Sequence, residues 1–187
     1  MNEIIVLGIV GSLRKASYNR YMLHAAQALM PEGAKLELFE LQGIPLFNQD
    51  DELTMPPAVV ELKRRILAAD AIVFGTPEYN YSLPGVLKNA IDWASRPFGE
   101  SAWSGKPSAL MGASIGGMGT ARAQYHLRQI LVAQDMPVIS LPEVMITKAA
   151  QRFDKNGDLH DVLTRQLIQE QLGLLVKLAR QVARGTT

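Results

Sequence analysis

Ile4-Ile5-Val6-Leu7-Gly8-Ile9-Val10-Gly11-Ser12-Leu13-Arg14-Lys15-Ala16-Ser17-Tyr18-Asn19 is the stretch on which the fold turns. Its first half, Ile4–Val10, is apolar without alternation, as in a strand buried on both faces. Gly11–Asn19 is polar: hydroxyls at Ser12 and Ser17, an amide at Asn19, and cations at Arg14 and Lys15. Behind it Met22, Ala25, Ala26 and Leu29 recur at helical spacing. The unit is strand, glycine-led polar loop, helix. A helix N-terminus offers free N–H groups and a partial positive charge, so this loop is expected to cradle a phosphate. The blander alternative is a polar turn with Ser17 as N-cap.

Further strand and helix patterns alternate along the chain, with no internal repeat. Ala71–Phe74, Ala109–Ala113 and Val138–Leu141 are further continuous apolar runs, and Lys35–Phe39 alternates like an edge strand. Between the runs lie helical patterns: Val59, Leu62 and Ile66; Leu87, Ile91 and Ala94; Leu127, Ile130 and Leu131. A last one carries Ile168, Leu172, Leu175, Val176 and Ala179. Strands alternating with helices predict an α/β fold, a parallel sheet covered on both faces. A single domain over residues 1–187 is expected. In the strand order 2-1-3-4-5, the loops after strands 1, 3 and 4 meet at the carboxyl edge of the sheet, where ligands bind.

The loop after the third strand reads Thr76-Pro77-Glu78-Tyr79-Asn80-Tyr81-Ser82-Leu83-Pro84-Gly85. Two prolines and two tyrosines make it stiff, and Pro84 suits the first turn of the next helix. Such a loop is expected to support a planar ring, its backbone groups bonding the polar edge; local packing of the tyrosines is the plain alternative. The loop after the fourth strand, Ser114-Ile115-Gly116-Gly117-Met118-Gly119, permits close backbone approach to a ligand.

Other motifs fail or mislead. G-x-G-x-x-G is absent, and Gly99–Gly105-Lys106-Pro107 misses the Walker spacing, so a mononucleotide with a terminal phosphate suits the first loop better than a nucleoside triphosphate. Gly112-Ala113-Ser114-Ile115-Gly116 matches a nucleophile elbow between strand and helix, which makes a serine esterase a remote alternative. Its acids Asp154, Asp158 and Asp161 share one short stretch with His160, however, and it leaves the other two loops without a role. His24 and His126 have no metal-like spacing, and no metal site is expected. Asp154–Asp158 departs from an EF-hand at Leu159, so Asn156-Gly157 reads as a tight turn. Leu41–Pro57, with three prolines, is either a functional loop or a surface excursion.

Composition narrows the classes. With 19 basic and 18 acidic residues, bulk nucleic-acid binding is not expected. The absence of cysteine excludes disulfides, iron–sulfur clusters and thiol chemistry, so redox activity requires a bound cofactor. The start MNEIIVLGIVGS lacks a basic signal-peptide n-region, and no apolar run reaches membrane-span length, so a soluble cytoplasmic protein is expected.

Gly11–Asn19 resembles the phosphate loop of the NADPH-dependent FMN reductase family, and Pro77–Ser82 with Pro84–Trp93 resembles that family's second signature. The likeness runs from about Glu3 to Thr147, and is nearest to bacterial quinone, chromate and azo-dye reductases. It implies a flavodoxin-like three-layer α/β/α sandwich with non-covalent FMN. Gly11, Ser12, Arg14, Ser17, Tyr18 and Asn19 would lie at the phosphate. Pro77, Glu78, Tyr79 and Asn80 would line the isoalloxazine, and Ser114, Gly116 and Gly117 would approach the ring or ribityl chain. It also implies a homodimer or homotetramer, with Arg122–Gln129 and the region after Pro142 as contact candidates.

The expected activity is an FMN-dependent NAD(P)H oxidoreductase. NADPH or NADH would reduce the flavin at N5, and a small-molecule acceptor would then take the electrons; quinones, azo compounds, chromate and flavin all qualify. No catalytic side chain is needed, because the flavin carries the hydride chemistry. The alternative from another class is a flavodoxin-like electron carrier without NAD(P)H turnover. Such carriers tend to be acidic, and this chain is not.

Overall fold

The computed structural model describes residues 3–185. Met1 and Asn2, the start of the segment read above for a leader, lie outside the described residues, as do Thr186 and Thr187. The elements run β1 (Ile4–Val10), α1 (Tyr18–Ala28), β2 (Ala34–Glu40), α2 (Pro57–Ala68), β3 (Ala71–Gly75), α3 (Gly85–Ala94), β4 (Ser108–Ala113), α4 (Ala121–Ala133), β5 (Val144–Ile146) and α5 (Val162–Gly185). The strands form one parallel sheet in the order β2-β1-β3-β4-β5. This is the flavodoxin-like arrangement.

β1 shows why an unbroken apolar run was needed. Val6 and Val10 point into a core with Met22 and Leu23 of α1 and Ile168, Leu172 and Leu175 of α5. Leu7 and Ile9 point to the other face, where Leu62 and Ile66 of α2, Leu87 and Ile91 of α3, and Leu127 of α4 close over them. Each fully buried side chain of this size contributes roughly 1.5–3 kcal/mol, so both faces stabilise the sheet. β2, at the edge, is only partly buried.

One strand lies elsewhere than the sequence predicts. Val138–Leu141 is the longer apolar run, but only its start follows β4: Val138 bridges Ser108, and Ile139 N–H donates to Ser108 O at 2.8 Å. Leu141 is exposed, and Pro142 has no N–H to give to a ladder. Pairing resumes at Val144–Ile146 against Met111–Ala113, where Val144 and Ile146 are buried. Pro84 also falls one residue short of the helix, as the N-cap of α3.

Two irregular segments are ordered by side chains. Within Leu41–Pro57, a 3₁₀ turn covers Gln49–Thr54. Just before it, Pro45 O accepts from Asn89 Nδ2 at 2.8 Å and Trp93 Nε1 at 2.9 Å, and the Phe47 ring meets Trp93 edge-on at 5.0 Å. The segment is thereby strapped to α3. Asn156-Gly157 is the expected tight turn: Asp154 Oδ1 accepts from the N–H groups of Asn156 and Asp158, closing the Phe153–Leu159 bridge.

Candidate functional site

The loops after β1, β3 and β4 converge at the carboxyl edge of the sheet. They enclose a hollow lined by Ser12, Arg14, Ser17, Tyr18, Asn19, Pro77, Glu78, Tyr79, Ala113, Ser114 and Ile115. A second hollow adjoins it, sharing Glu78 and Ser114 and adding Asn80, Tyr81, Gly116, Gly117, Met118 and Arg122. Among the described residues, no group of three or more His, Cys, Asp or Glu is placed to hold a metal ion.

On the β1 side, Gly11 permits the crossing of the chain past β3. A Cβ there would stand 2.6 Å from Gly75 O, the atom to which Gly11 N–H already donates at 2.8 Å. Ser17 is the N-cap of α1 and is buried, yet its side chain makes no capping hydrogen bond. The first-turn N–H groups of α1 are therefore left for another acceptor. Among the described residues, no acceptor meets the N–H groups of Leu13, Lys15, Ala16 or Ser17 either. Arg14 is exposed, donates to Ala16 O, and sits 5.7 Å from the Tyr18 ring centroid. A phosphate-sized anion would meet backbone donors, two hydroxyls and a guanidinium here.

Asn19 has a further occupation. It is buried, and its amide is joined to the backbone of one residue of β4: Nδ2 donates to Ala113 O and Oδ1 accepts from Ala113 N, both at 2.9 Å. It fixes the start of α1 to the end of β4 and so holds two of the three loops together.

On the β3 side, Tyr79 and Ser82 exchange backbone hydrogen bonds of 3.0 Å in each direction around a two-residue turn. Asn80 (φ 49°) and Tyr81 (φ 70°) are both left-handed, the primed-turn geometry that normally takes glycine second. The Glu78 carboxylate turns away to α4, accepting from Arg122 N at 3.1 Å and Arg122 Nε at 2.5 Å. It thus caps a helix whose own N-cap residue, Thr120, makes no side-chain capping bond.

On the β4 side, Gly112 is closely overlaid: an added Cβ would fall 1.7 Å from Thr120 Oγ1 and 2.7 Å from Thr76 O. Gly119 packs on Met145 at positive φ. Gly116 and Gly117 differ, since a Cβ at Gly117 would meet nothing within 4 Å. Ser114 Oγ accepts from Gly116 N at 3.1 Å, and its backbone is tied to Ile146 and Ala149. No histidine lines either hollow, so the elbow-like motif lacks the base an esterase requires.

The comparisons with known proteins agree with this arrangement. The model of the NADPH-dependent FMN reductase family matches residues 4–151. The chain belongs to that family. It is 54% identical over 182 residues to an NAD(P)H-dependent FMN reductase of Pseudomonas aeruginosa, covering 97% of this chain and 98% of that one. It is 43% identical over 161 residues to a 2-hydroxy-1,4-benzoquinone reductase of a Burkholderia species, covering 86% and 88%. The solved structure of FerB, an NAD(P)H:acceptor oxidoreductase of Paracoccus denitrificans, superimposes with a TM-score of 0.87 at 36% identity, covering 95% and 98%. The chain is accordingly an oxidoreductase that works with FMN and NAD(P)H.

Arg122 and Thr120 were not singled out by sequence reasoning, beyond placing Arg122 in a contact segment. Their signal lies in space: Arg122 is 44 residues from Glu78 along the chain. No helix among the described residues is long and apolar enough to cross a membrane.

Proposed function

We propose that this chain passes electrons from NAD(P)H through bound FMN to small acceptors, with quinones foremost and azo compounds, chromate and flavin as further substrates. The observation that carries the reading is the uncapped, donor-rich start of α1 beside a hollow walled by the loops after β3 and β4. Ser12, Ser17 and Arg14, with the N–H groups of Leu13, Lys15, Ala16 and Ser17 and of the first turn of α1 from Tyr18, would hold the phosphate, while Gly11 lets the chain pass β3. Asn19 would act there by fixing α1 in place. Pro77, Glu78, Tyr79 and Asn80 would wall the ring, and Ser114, Gly116 and Gly117 would lie along its other side. When bound, FMN supplies the hydride and electron transfer, and no side chain is assigned as acid or base. The second hollow, which shares Ser114 and is bordered by exposed Met118, would admit nicotinamide and acceptor in turn.

The quinone preference is supported by the benzoquinone reductase relative. The reading further holds residues 1–187 to be one FMN-binding domain in a cytoplasmic homodimer or homotetramer. The test is steady NADPH oxidation by purified protein and FMN with a benzoquinone. A protein that binds FMN but does not turn over is a carrier, and sinks the proposal. A flavin spectrum released on denaturation checks the cofactor separately.

A further inference from the structure

We infer that Arg122 is a positioning residue that clamps the strained Asn80–Tyr81 turn into the shape in which it walls the flavin site; the inference rests on the FMN reading for its consequence and on the chain's own geometry for the clamp. Two successive residues other than glycine at positive φ are unfavourable, and such a turn persists only where its surroundings over-determine it. The ladder around it is a single pair of hydrogen bonds between Tyr79 and Ser82. Among the described residues, nothing accepts from the N–H groups of Asn80 or Tyr81.

The missing constraint comes from α4. The Arg122 guanidinium lies 3.7 Å from the centroid of the Tyr81 ring, a close cation–π contact on the residue that departs furthest from its preferred backbone. The same group donates to Glu78 from Nε and pairs with it through Nη2. One turn further along α4, His126 Nδ1 stands 3.0 Å from Ser82 Oγ. Positions four apart share a helix face, so one face of α4 grips the turn before, within and after its strained pair. A planar, five-donor cation that stacks and pairs at once suits this place, and a lysine does not reproduce it.

The role is separable from general support of the fold. Arg122 is a third exposed at its side chain, but Glu78 is only 7% exposed, so removing the guanidinium leaves the buried Glu78 Oε1 without its donor. Glu78 still has the N–H groups of Arg122 and Ala123 to accept from when the guanidinium is removed. Arg122→Ala should therefore lower the unfolding midpoint somewhat as well as release the turn, so local exchange and the coupling to Tyr81, not the midpoint, report the clamp.

Two measurements test this. In apoprotein, Arg122→Ala should speed hydrogen exchange of the Tyr79 and Ser82 amides about tenfold more than that of the β4 amides. In FMN titrations, the same change should raise the dissociation constant about tenfold, with Arg122→Lys intermediate. Tyr81→Gly relaxes the turn without help from α4. In that background Arg122→Ala should cost less than about threefold, a coupling read by a double-mutant cycle. An equal loss in both backgrounds means that Arg122 acts other than through the turn, and overturns the proposal. Exchange that speeds no more at the turn than in β4 overturns the clamp whatever FMN does, since that measurement involves no FMN. Wild-type protein that takes up no FMN overturns the functional reading, and with it the consequence assigned to the clamp.

Discussion

The loop after β1 and the loop after β3 border the same hollow and are held in opposite ways. Gly11–Ser17 makes few ties beyond Gly11 N–H to Gly75 O and leaves its backbone donors free. Pro77–Ser82 is gripped by α4 through Glu78, Tyr81 and Ser82 and stores strain at two residues. The difference follows from what each would bind. A phosphate is a compact, multiply charged group, and a helix N-terminus with free N–H groups stabilises it over a range of loop positions. A planar ring presents donors and acceptors along one edge, so its wall must stand at one distance and angle before the ligand arrives. Behind both loops Asn19 and Gly112 set their spacing, Asn19 while also lining the hollow.

Breaking that shared backing should have the largest effect. Gly112→Ala should destabilise the fold by about 3 kcal/mol in urea unfolding, because Thr120 and the Thr76 carbonyl are already in the space the methyl needs. Gly117→Ala, in open space, should stay within about 0.5 kcal/mol of wild type. Equal midpoints for the two would undo the distinction drawn between the glycines. Next comes Asn19→Ala, which strips the N–H and the C=O of Ala113 of their buried side-chain partner and should cost about 2 kcal/mol. If only FMN affinity moved and the unfolding curve did not, Asn19 would be a ligand contact after all.

Smaller changes sharpen the comparison on the ligand side. Arg14→Ala should raise the FMN dissociation constant about tenfold, the scale of one charge-assisted contact, with the unfolding midpoint unchanged because Arg14 is exposed. Unaltered FMN binding would count against the cradle. Ser114→Ala should be the mildest, at most about fivefold in quinone reduction, since one neutral hydrogen bond is at stake. Complete loss of turnover with FMN still bound would make Ser114 a reacting group and contradict its assignment.

Much of this was open to sequence reading because the physics is local. Ile4–Val10 must be buried on both faces if neither half of it alternates, and a polar loop between such a strand and a helix sits at the carboxyl edge of the sheet. Val138–Leu141 was misleading because hydrophobicity alone does not say which residues find a neighbour. β4 was already paired there only at its first residue, and the shorter Val144–Ile146 took the rest.

The sequence by itself determined the layer order, the three loops and the kind of ligand they suit, since strand period, helix period and helix-terminus chemistry are properties of adjacent residues. Only the tertiary structure decided how those loops are held. Asn19 is 94 residues from its partner Ala113, and Glu78 is 44 from Arg122. A hydrogen bond closes over a few ångströms whatever the separation along the chain, so no local pattern marks which polar side chain serves the ligand and which serves the fold.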